Sequence, residues 1–190
     1  MDQPSAIRAR YRALGRRGRT VVAIAVAATA AALGLAVASV AAGPGTAAPA
    51  LPTARNFRVP VLGHPDEHIS LSSLRRKPVI VNFFASWCSP CQRETPLLAR
   101  YYRSAGSRVT VIGIDVNDRT AAALKFVHRT GVSYPVGADS PPHTALLYGV
   151  SGLPQTFFIN ARHRIVKRVF GALTPRELTA AAGQISSRPR

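Results

Sequence analysis

Cysteine is nearly missing from this chain: of 190 residues only Cys88 and Cys91 carry a thiol, and there is one tryptophan and one methionine. With no further cysteine there is no disulfide framework. Half a zinc site needs two more ligands, and the five histidines are scattered along the chain. A bridge between Cys88 and Cys91 would close only a two-residue loop, so it would constrain the unfolded chain little and stabilise little. Acid is scarce as well, with eight Asp and Glu against 25 Lys and Arg, for a formal net charge of +17. That charge suits nucleic acid in principle, but no nucleic-acid motif and no interleaving of aromatic with basic residues accompanies it. Anionic lipid headgroups or acidic partner proteins suit it better. Arginine outnumbers lysine 22 to 3, so codon bias accounts for the charge as well as selection does.

What is present is concentrated in Phe83–Cys91, FFASWCSPC. Val79–Phe84 is apolar apart from Asn82, as expected of a strand buried on both faces, and Pro90 suits a first helical turn, where no backbone donor is needed. Both cysteines therefore fall at a helix N-terminus. Unpaired N–H groups and the helix dipole favour an anion there, so Cys88 should ionise more readily than a free thiol and act as nucleophile. Cys91, one turn deeper on the same face, can attack a mixed disulfide at Cys88 and release the partner. Glu94 lies one turn further on. The spacing alone fits either a proton acceptor for Cys91 or an exposed helical glutamate.

The chain opens with six arginines and one acid in residues 1–20, followed by the uncharged run Val21–Ala42. At about 1.5 Å per residue these 22 residues span a hydrocarbon core of about 30 Å. The arginine cluster would stay cytoplasmic, which puts the rest of the chain outside a cell membrane crossed once. A cleaved signal peptide is the competing reading, with Ala36-Val37-Ala38 or Val40-Ala41-Ala42 as the cut. No cysteine follows the run, which excludes a lipid-modified N-terminal cysteine. Residues 43–53, rich in proline, glycine and alanine, read as a linker, and residues 54–190 as one domain.

Along that domain the expected order is a hairpin of Asn56–Leu62 and Ile69–Leu71 around a polar turn Gly63–His68, then the Val79–Phe84 strand. A helix from Cys88 to about Ser104 follows, with a kink expected at Pro96. His64 and His68 fall in the turn and read as solvated. Arg108–Val116 is a second core strand. Next come a helix over Arg119–Thr130 with Asp118 as its N-cap, a short strand Tyr134–Ala138 and a short helix His143–Tyr148. Gln155–Asn160 and Arg164–Phe170 read as a closing hairpin, and Thr174-Pro175-Arg176-Glu177 as the capping box of a last helix to about Ile185.

Trp87-Cys88-Ser89-Pro90-Cys91, the preceding Val81–Ser86 and the later Gly152-Leu153-Pro154-Gln155-Thr156-Phe157 resemble the membrane-anchored thioredoxin-like proteins of the TlpA and ResA type, over roughly residues 56–185. The resemblance implies an α/β thioredoxin-like fold, a central mixed sheet flanked by helices, with an N-terminal hairpin and a central helix-strand insertion. It implies an extracytoplasmic thiol-disulfide oxidoreductase that acts on thiols or disulfides of partner proteins, by reduction as in cytochrome c assembly, with electrons from a membrane-embedded donor. A disulfide-introducing oxidant and a non-catalytic tethered peptide-binding module are the alternatives. No organic cofactor or metal, no nucleic acid and a monomeric chain are expected. Pro154 becomes the candidate for the cis-proline that faces the two cysteines in thioredoxin folds. Leu153, Pro154, Trp87, Ser89 and Pro90 become the surface that takes an extended partner segment as an added strand. An acid at the place of Glu94 lies beneath the active site in this family, and Asn82 stands where thioredoxins in general have a buried aspartate.

Overall fold

The computed structural model describes residues 51–187 except Arg75, with the backbone only of Ser107. The basic segment 1–20, the apolar run 21–42 and most of the linker lie outside the described residues. Among the described residues no helix is long and apolar enough to cross a membrane.

Seven strands form one mixed sheet in the order β2-β1-β5-β4-β3-β6-β7. They are β1 (Arg58–Val61), β2 (His64–Ser70), β3 (Val79–Phe84), β4 (Thr110–Val116), β5 (Val136–Asp139), β6 (Gln155–Ile159) and β7 (Ile165–Phe170). β3, β4 and β5 run parallel, joined by α1 (Ser89–Ala105) and α2 (Thr120–Arg129), while β6 and β7 are antiparallel additions beside β3. α3 (His143–Leu147) precedes β6, and α4 (Pro175–Ser186) ends the described chain.

All six residues of β3 are buried, as its apolar run requires. Alternate side chains feed two apolar clusters. Ile80 and Phe84 pack with Leu98 of α1, Phe126 of α2 and Leu178 and Ala181 of α4. Val79, Val81 and Phe83 pack with Ile112, Ile114, Phe157 and Tyr148 on the other face. Each large apolar side chain buried in this way stabilises by about 1.5–3 kcal/mol. Together they outweigh the one polar residue in the strand, Asn82.

Four local expectations are corrected. Gly63–His68 is not a turn: β2 starts at His64, and only Leu62 and Gly63, the latter at φ +81°, make the reversal. β2 is an edge strand paired only with β1, so its polar residues, His64 and His68 among them, remain exposed and leave no alternating pattern to read. Asp118 does not cap α2. The N-cap is Arg119, with no side-chain hydrogen bond, so the helix forgoes a contribution of about 0.5–2 kcal/mol. The strand expected at Tyr134–Ala138 starts two residues later, at Val136, and extends one further, to Asp139. The carboxylate of Asp139 accepts the N–H groups of Thr144 and Ala145 at 2.9 and 2.8 Å and so starts α3. Thr53, expected in the linker, already bridges Arg164, and the N–H of Ile165 donates to the Pro52 carbonyl at 2.8 Å.

α1 is continuous through Pro96. α4 carries the full capping box: Thr174 Oγ1 accepts from the Glu177 N–H, and the Glu177 carboxylate accepts from the Thr174 N–H.

Candidate active site

The chain leaves β3 at Phe84 and enters α1 at Ser89, so Ala85–Cys88 must turn a buried strand into a helix within four residues. Cys88 is the N-cap of α1, at φ −83° and ψ 106°, and its Sγ accepts the Cys91 N–H at 3.2 Å. The Cys88 N–H in turn donates to the Ala85 carbonyl at 3.2 Å. The two cysteines are joined as a disulfide. Cys88 is 5% exposed and Cys91 is fully covered, so the outer sulfur is less open than a free nucleophile at a helix end was expected to be, although the order of access holds. Around them Trp87 is 60% exposed, Ser89 is exposed and Pro90 half-buried.

β6 pairs with β3 as far as Phe83 opposite Gln155, which sets Pro154 just beyond the register, at the end of β3 from which the cysteines follow. The Leu153–Pro154 peptide is cis, as expected from the sequence. The Ser140–Pro141 peptide, not singled out by the sequence, is cis as well. The Pro154 carbonyl accepts the N–H of Gly171 at 2.9 Å, tying the loop to β7, while neither backbone group of Leu153 bonds another backbone group among the described residues. Arg168 of β7, a residue sequence reasoning passed over, holds the same loop. It donates to the Gly149 carbonyl and, with the Gln155 amide oxygen turned toward it, to Gln155. Its guanidinium lies 5.0 Å from the Phe157 ring centre and 4.5 Å from that of Phe170, which is 63% exposed.

Beneath the disulfide Glu94 is buried, which rules out the exposed helical glutamate. Its Oε1 accepts Asn82 Nδ2 at 2.8 Å and its Oε2 accepts the Leu173 N–H at 2.7 Å. Asn82 Nδ2 also donates to Thr156 Oγ1 at 2.9 Å. Burial pushes the Glu94 carboxyl above the usual carboxylate range, and the bonds from Leu173 and Asn82 pull it partly back. The hydroxyl of Tyr134, buried without a hydrogen-bond partner among the described residues, is held above its ordinary value by burial and then by the Glu94 charge.

An acidic pair, Asp115 and Asp118, meets the loop that leads to the cysteines and was not visible in the sequence as a site. Asp115 of β4 is buried opposite Phe84, and its Oδ1 has no partner among the described residues. Burial pushes its carboxyl up to about 8, helped by the charge of Asp118 and a hydrogen bond with the Asp118 carboxyl. Asp118 Oδ2 accepts the Ser86 N–H at 2.5 Å, and Trp87 Nε1 donates to the Asn117 carbonyl at 3.4 Å.

The elevated Asp115 fixes a sign for stability. A folded-state value raised above the ordinary 3.8 means that the folded protein holds this proton more tightly than the unfolded chain. The contribution to stability is complete below about 4 and is lost as pH rises through about 8. Asp115→Asn keeps a donor toward Asp118 and removes the titration. Its stability relative to the unsubstituted protein, measured by denaturant unfolding, should therefore improve steadily between pH 5 and pH 8. An advantage independent of pH would show that Asp115 is not held protonated.

The AhpC/TSA family pattern matches residues 47–168. The chain is 37% identical over 109 residues to the thiol-disulfide oxidoreductase ResA of Bacillus subtilis, covering 57% of this chain and 61% of that protein. To the thiol:disulfide interchange protein DsbE of Xylella fastidiosa it is 36% identical over 110 residues, 57% of this chain and 55% of that protein. The chain thus spans less than two thirds of the length of either relative. A DsbF homologue from Corynebacterium diphtheriae superimposes with a TM-score of 0.64 at 27% identity, over 75% of this chain and 96% of the other. With a thioredoxin-like sheet, a disulfide-bonded Cys-X-X-Cys pair at its central helix and ResA- and DsbE-type relatives, the chain belongs to the AhpC/TSA family.

Proposed function

We propose that this chain is a thiol-disulfide oxidoreductase that reduces disulfides of partner proteins. The observation that carries the reading is the Cys88–Cys91 disulfide at the N-terminus of α1 with the buried acid Glu94 one turn below it. In the reduced protein the Cys88 thiolate attacks one sulfur of a partner disulfide. The partner S–S bond breaks, a mixed disulfide forms at Cys88, and the leaving partner thiolate takes a proton from water. The Cys91 thiol then passes its proton to the Glu94 carboxylate and attacks Cys88 Sγ. The mixed disulfide breaks, the second partner sulfur leaves as a thiolate and takes the proton back from Glu94 or from water, and the Cys88–Cys91 disulfide forms. Two electrons have moved to the partner, and a dithiol donor must return them to the cysteines before the next cycle.

The partner segment lies along Leu153, whose backbone N–H and C=O bond no other backbone group among the described residues, and against Pro154, Trp87, Ser89 and Pro90. The finer reading follows the sequence: a monomeric domain held outside the cell membrane by residues 21–42, a membrane-embedded donor, and cytochrome c maturation as the process served. The names of the ResA and DsbE relatives, an oxidoreductase and an interchange protein, support the exchange of thiols and disulfides itself.

The test is insulin reduction together with trapping in cells. Cys91→Ser should accumulate mixed disulfides with partners and Cys88→Ser should not, and trapping by Cys88→Ser alone would overturn the assignment of roles.

Direction of exchange follows from how strongly the Cys88 thiolate is stabilised. Ser89-Pro90 places no histidine beside Cys88, and Glu94, when ionised, opposes a thiolate. The midpoint is expected below roughly −200 mV, nearer thioredoxin at about −270 mV than the strong oxidants at about −120 mV. Trp87, the only tryptophan, reports it in a dithiothreitol or glutathione titration. A higher midpoint favours the oxidant.

Glu94→Gln keeps the shape of the side chain and removes the proton acceptor. The pH dependence of the rate at which Cys91 resolves the mixed disulfide should change, and change more than the thermal stability does. An unchanged pH profile would leave Glu94 with a packing role only.

A further inference from the structure

An aspartate directly before a helix ordinarily caps it. Asp118 is diverted: its Oδ2 accepts the Ser86 N–H, 32 residues earlier, at 2.5 Å, and α2 starts after an N-cap, Arg119, that makes no side-chain bond. Its Oδ1 accepts the Arg119 N–H at 2.7 Å. We propose that Asp118 is a positioning residue for thiol exchange, its carboxylate fixing the Ser86–Cys88 loop in the pose that presents Trp87 and Cys88 to a partner segment. The proposal rests on the oxidoreductase reading above and concerns the same site.

The loop is held residue by residue. The Ser86 N–H goes to Asp118, and the Ser86 carbonyl accepts Gln92 Nε2 at 2.8 Å. The Trp87 indole N–H reaches the Asn117 carbonyl at 3.4 Å, and the Cys88 N–H the Ala85 carbonyl at 3.2 Å. Only the Asp118 bond has an ionised acceptor, and such bonds are roughly twice as strong as neutral ones. The turn that offers Asp118 is itself constrained. Asn117 sits at φ +49°, in the left-handed region that asparagine tolerates better than most residues, and its N–H donates to the Asp139 carbonyl at 3.1 Å, at the end of β5. Behind the pair Asp115 is buried in β4 opposite Phe84, the last residue before the loop, and hydrogen-bonds the Asp118 carboxyl. The Asn117–Asp118 turn therefore links the ends of β4 and β5 to the segment that carries Cys88, which Asp118 reaches by its hydrogen bond from the Ser86 N–H.

The test compares Asp118→Ala with Asp118→Asn in the purified full-length protein. Asparagine keeps an oxygen for the Ser86 N–H, while the exposed Arg119 N–H is left to water. Insulin reduction, with dithiothreitol recycling the enzyme, should fall five-fold or more in the alanine variant and stay within two-fold in the asparagine variant. In amide spectra the Ser86 proton should lie far downfield in the unsubstituted protein, as for a donor to a carboxylate, and move upfield in Asp118→Asn. An alanine variant within two-fold of the unsubstituted protein overturns the proposal, and so does an asparagine variant as impaired as alanine. A solvent-exchanging Ser86 amide in the unsubstituted protein overturns it without any substitution, so the result does not depend on the alanine variant folding. Failure of the unsubstituted protein to reduce insulin disulfides counts against the oxidoreductase reading instead.

Discussion

A helix that starts directly behind a buried strand has N–H groups that water cannot easily reach, and α1 gives one of them, that of Cys91, to sulfur. Cys88 Sγ is the side-chain acceptor for the Cys91 N–H. Sulfur is a weak acceptor, so the positive end of the helix is left poorly neutralised while the disulfide is intact. A serine or aspartate at this place would cap better, by about 0.5–2 kcal/mol. The contrast within the molecule is direct. α4 has a reciprocal capping box and α3 borrows both oxygens of Asp139, whereas α1 is capped by its cysteine and α2 not at all. The helix that carries the disulfide and the helix that follows it in the chain are the two without a strong cap. An under-satisfied N-terminus is what a thiolate at Cys88 would fill.

Burying acids around such a site is costly, and the structure offsets the cost differently on the two sides. Glu94 receives two hydrogen bonds, from Asn82 and Leu173, and these anchor it between β3 and the segment leading into α4. Asp115 receives fewer and stays a neutral acid up to about pH 8, sharing a hydrogen bond with Asp118. In both cases the apolar clusters on the two faces of β3 supply the stability that tolerates the acid. Asn82 serves Glu94 in a way that an aspartate could not, because a second carboxylate there would face the first without a donor between them.

Much of this was legible in the sequence and the remainder was not, for physical reasons. β3, β4 and β6 announce themselves by apolar runs, since a strand inside a sheet has no choice about burial, while β7, at the sheet edge, was read from the turn that precedes it. The Thr174–Glu177 box and the helix after Pro90 are local chemistry and read directly. β2 was misread as a turn because an edge strand needs only hydrogen bonds to one neighbour, and HPDEHIS supplies those with any side chains. Asp118 was misread because its local partner, the start of α2, lost to a partner 32 residues away. Arg168 carried no signal: one arginine among 22 is distinguished only by the carbonyl and the rings it meets after folding. Glu94 was open on spacing alone, and burial decided it.

The scarcity of acid gives these placements a meaning that single contacts do not. Outside the first 20 residues the chain has seven acidic residues against 19 basic ones, and three of the seven, Glu94, Asp115 and Asp118, lie around the β3–α1 junction. A strongly basic domain with its acids spread evenly would add positive potential at Cys88 to that of the helix terminus, and both would favour the thiolate. Here the few acids stand where they oppose it. Glu94, once ionised, lies one helical turn beyond Cys91, and the Asp118 carboxylate accepts the N–H of Ser86, two residues before Cys88, in a partly buried setting where solvent screens less than at the surface. Weaker stabilisation of the thiolate weakens the reduced form relative to the disulfide, so electrons leave the pair more readily. The distribution of charge therefore favours donation of electrons to a partner disulfide over withdrawal of them from partner thiols.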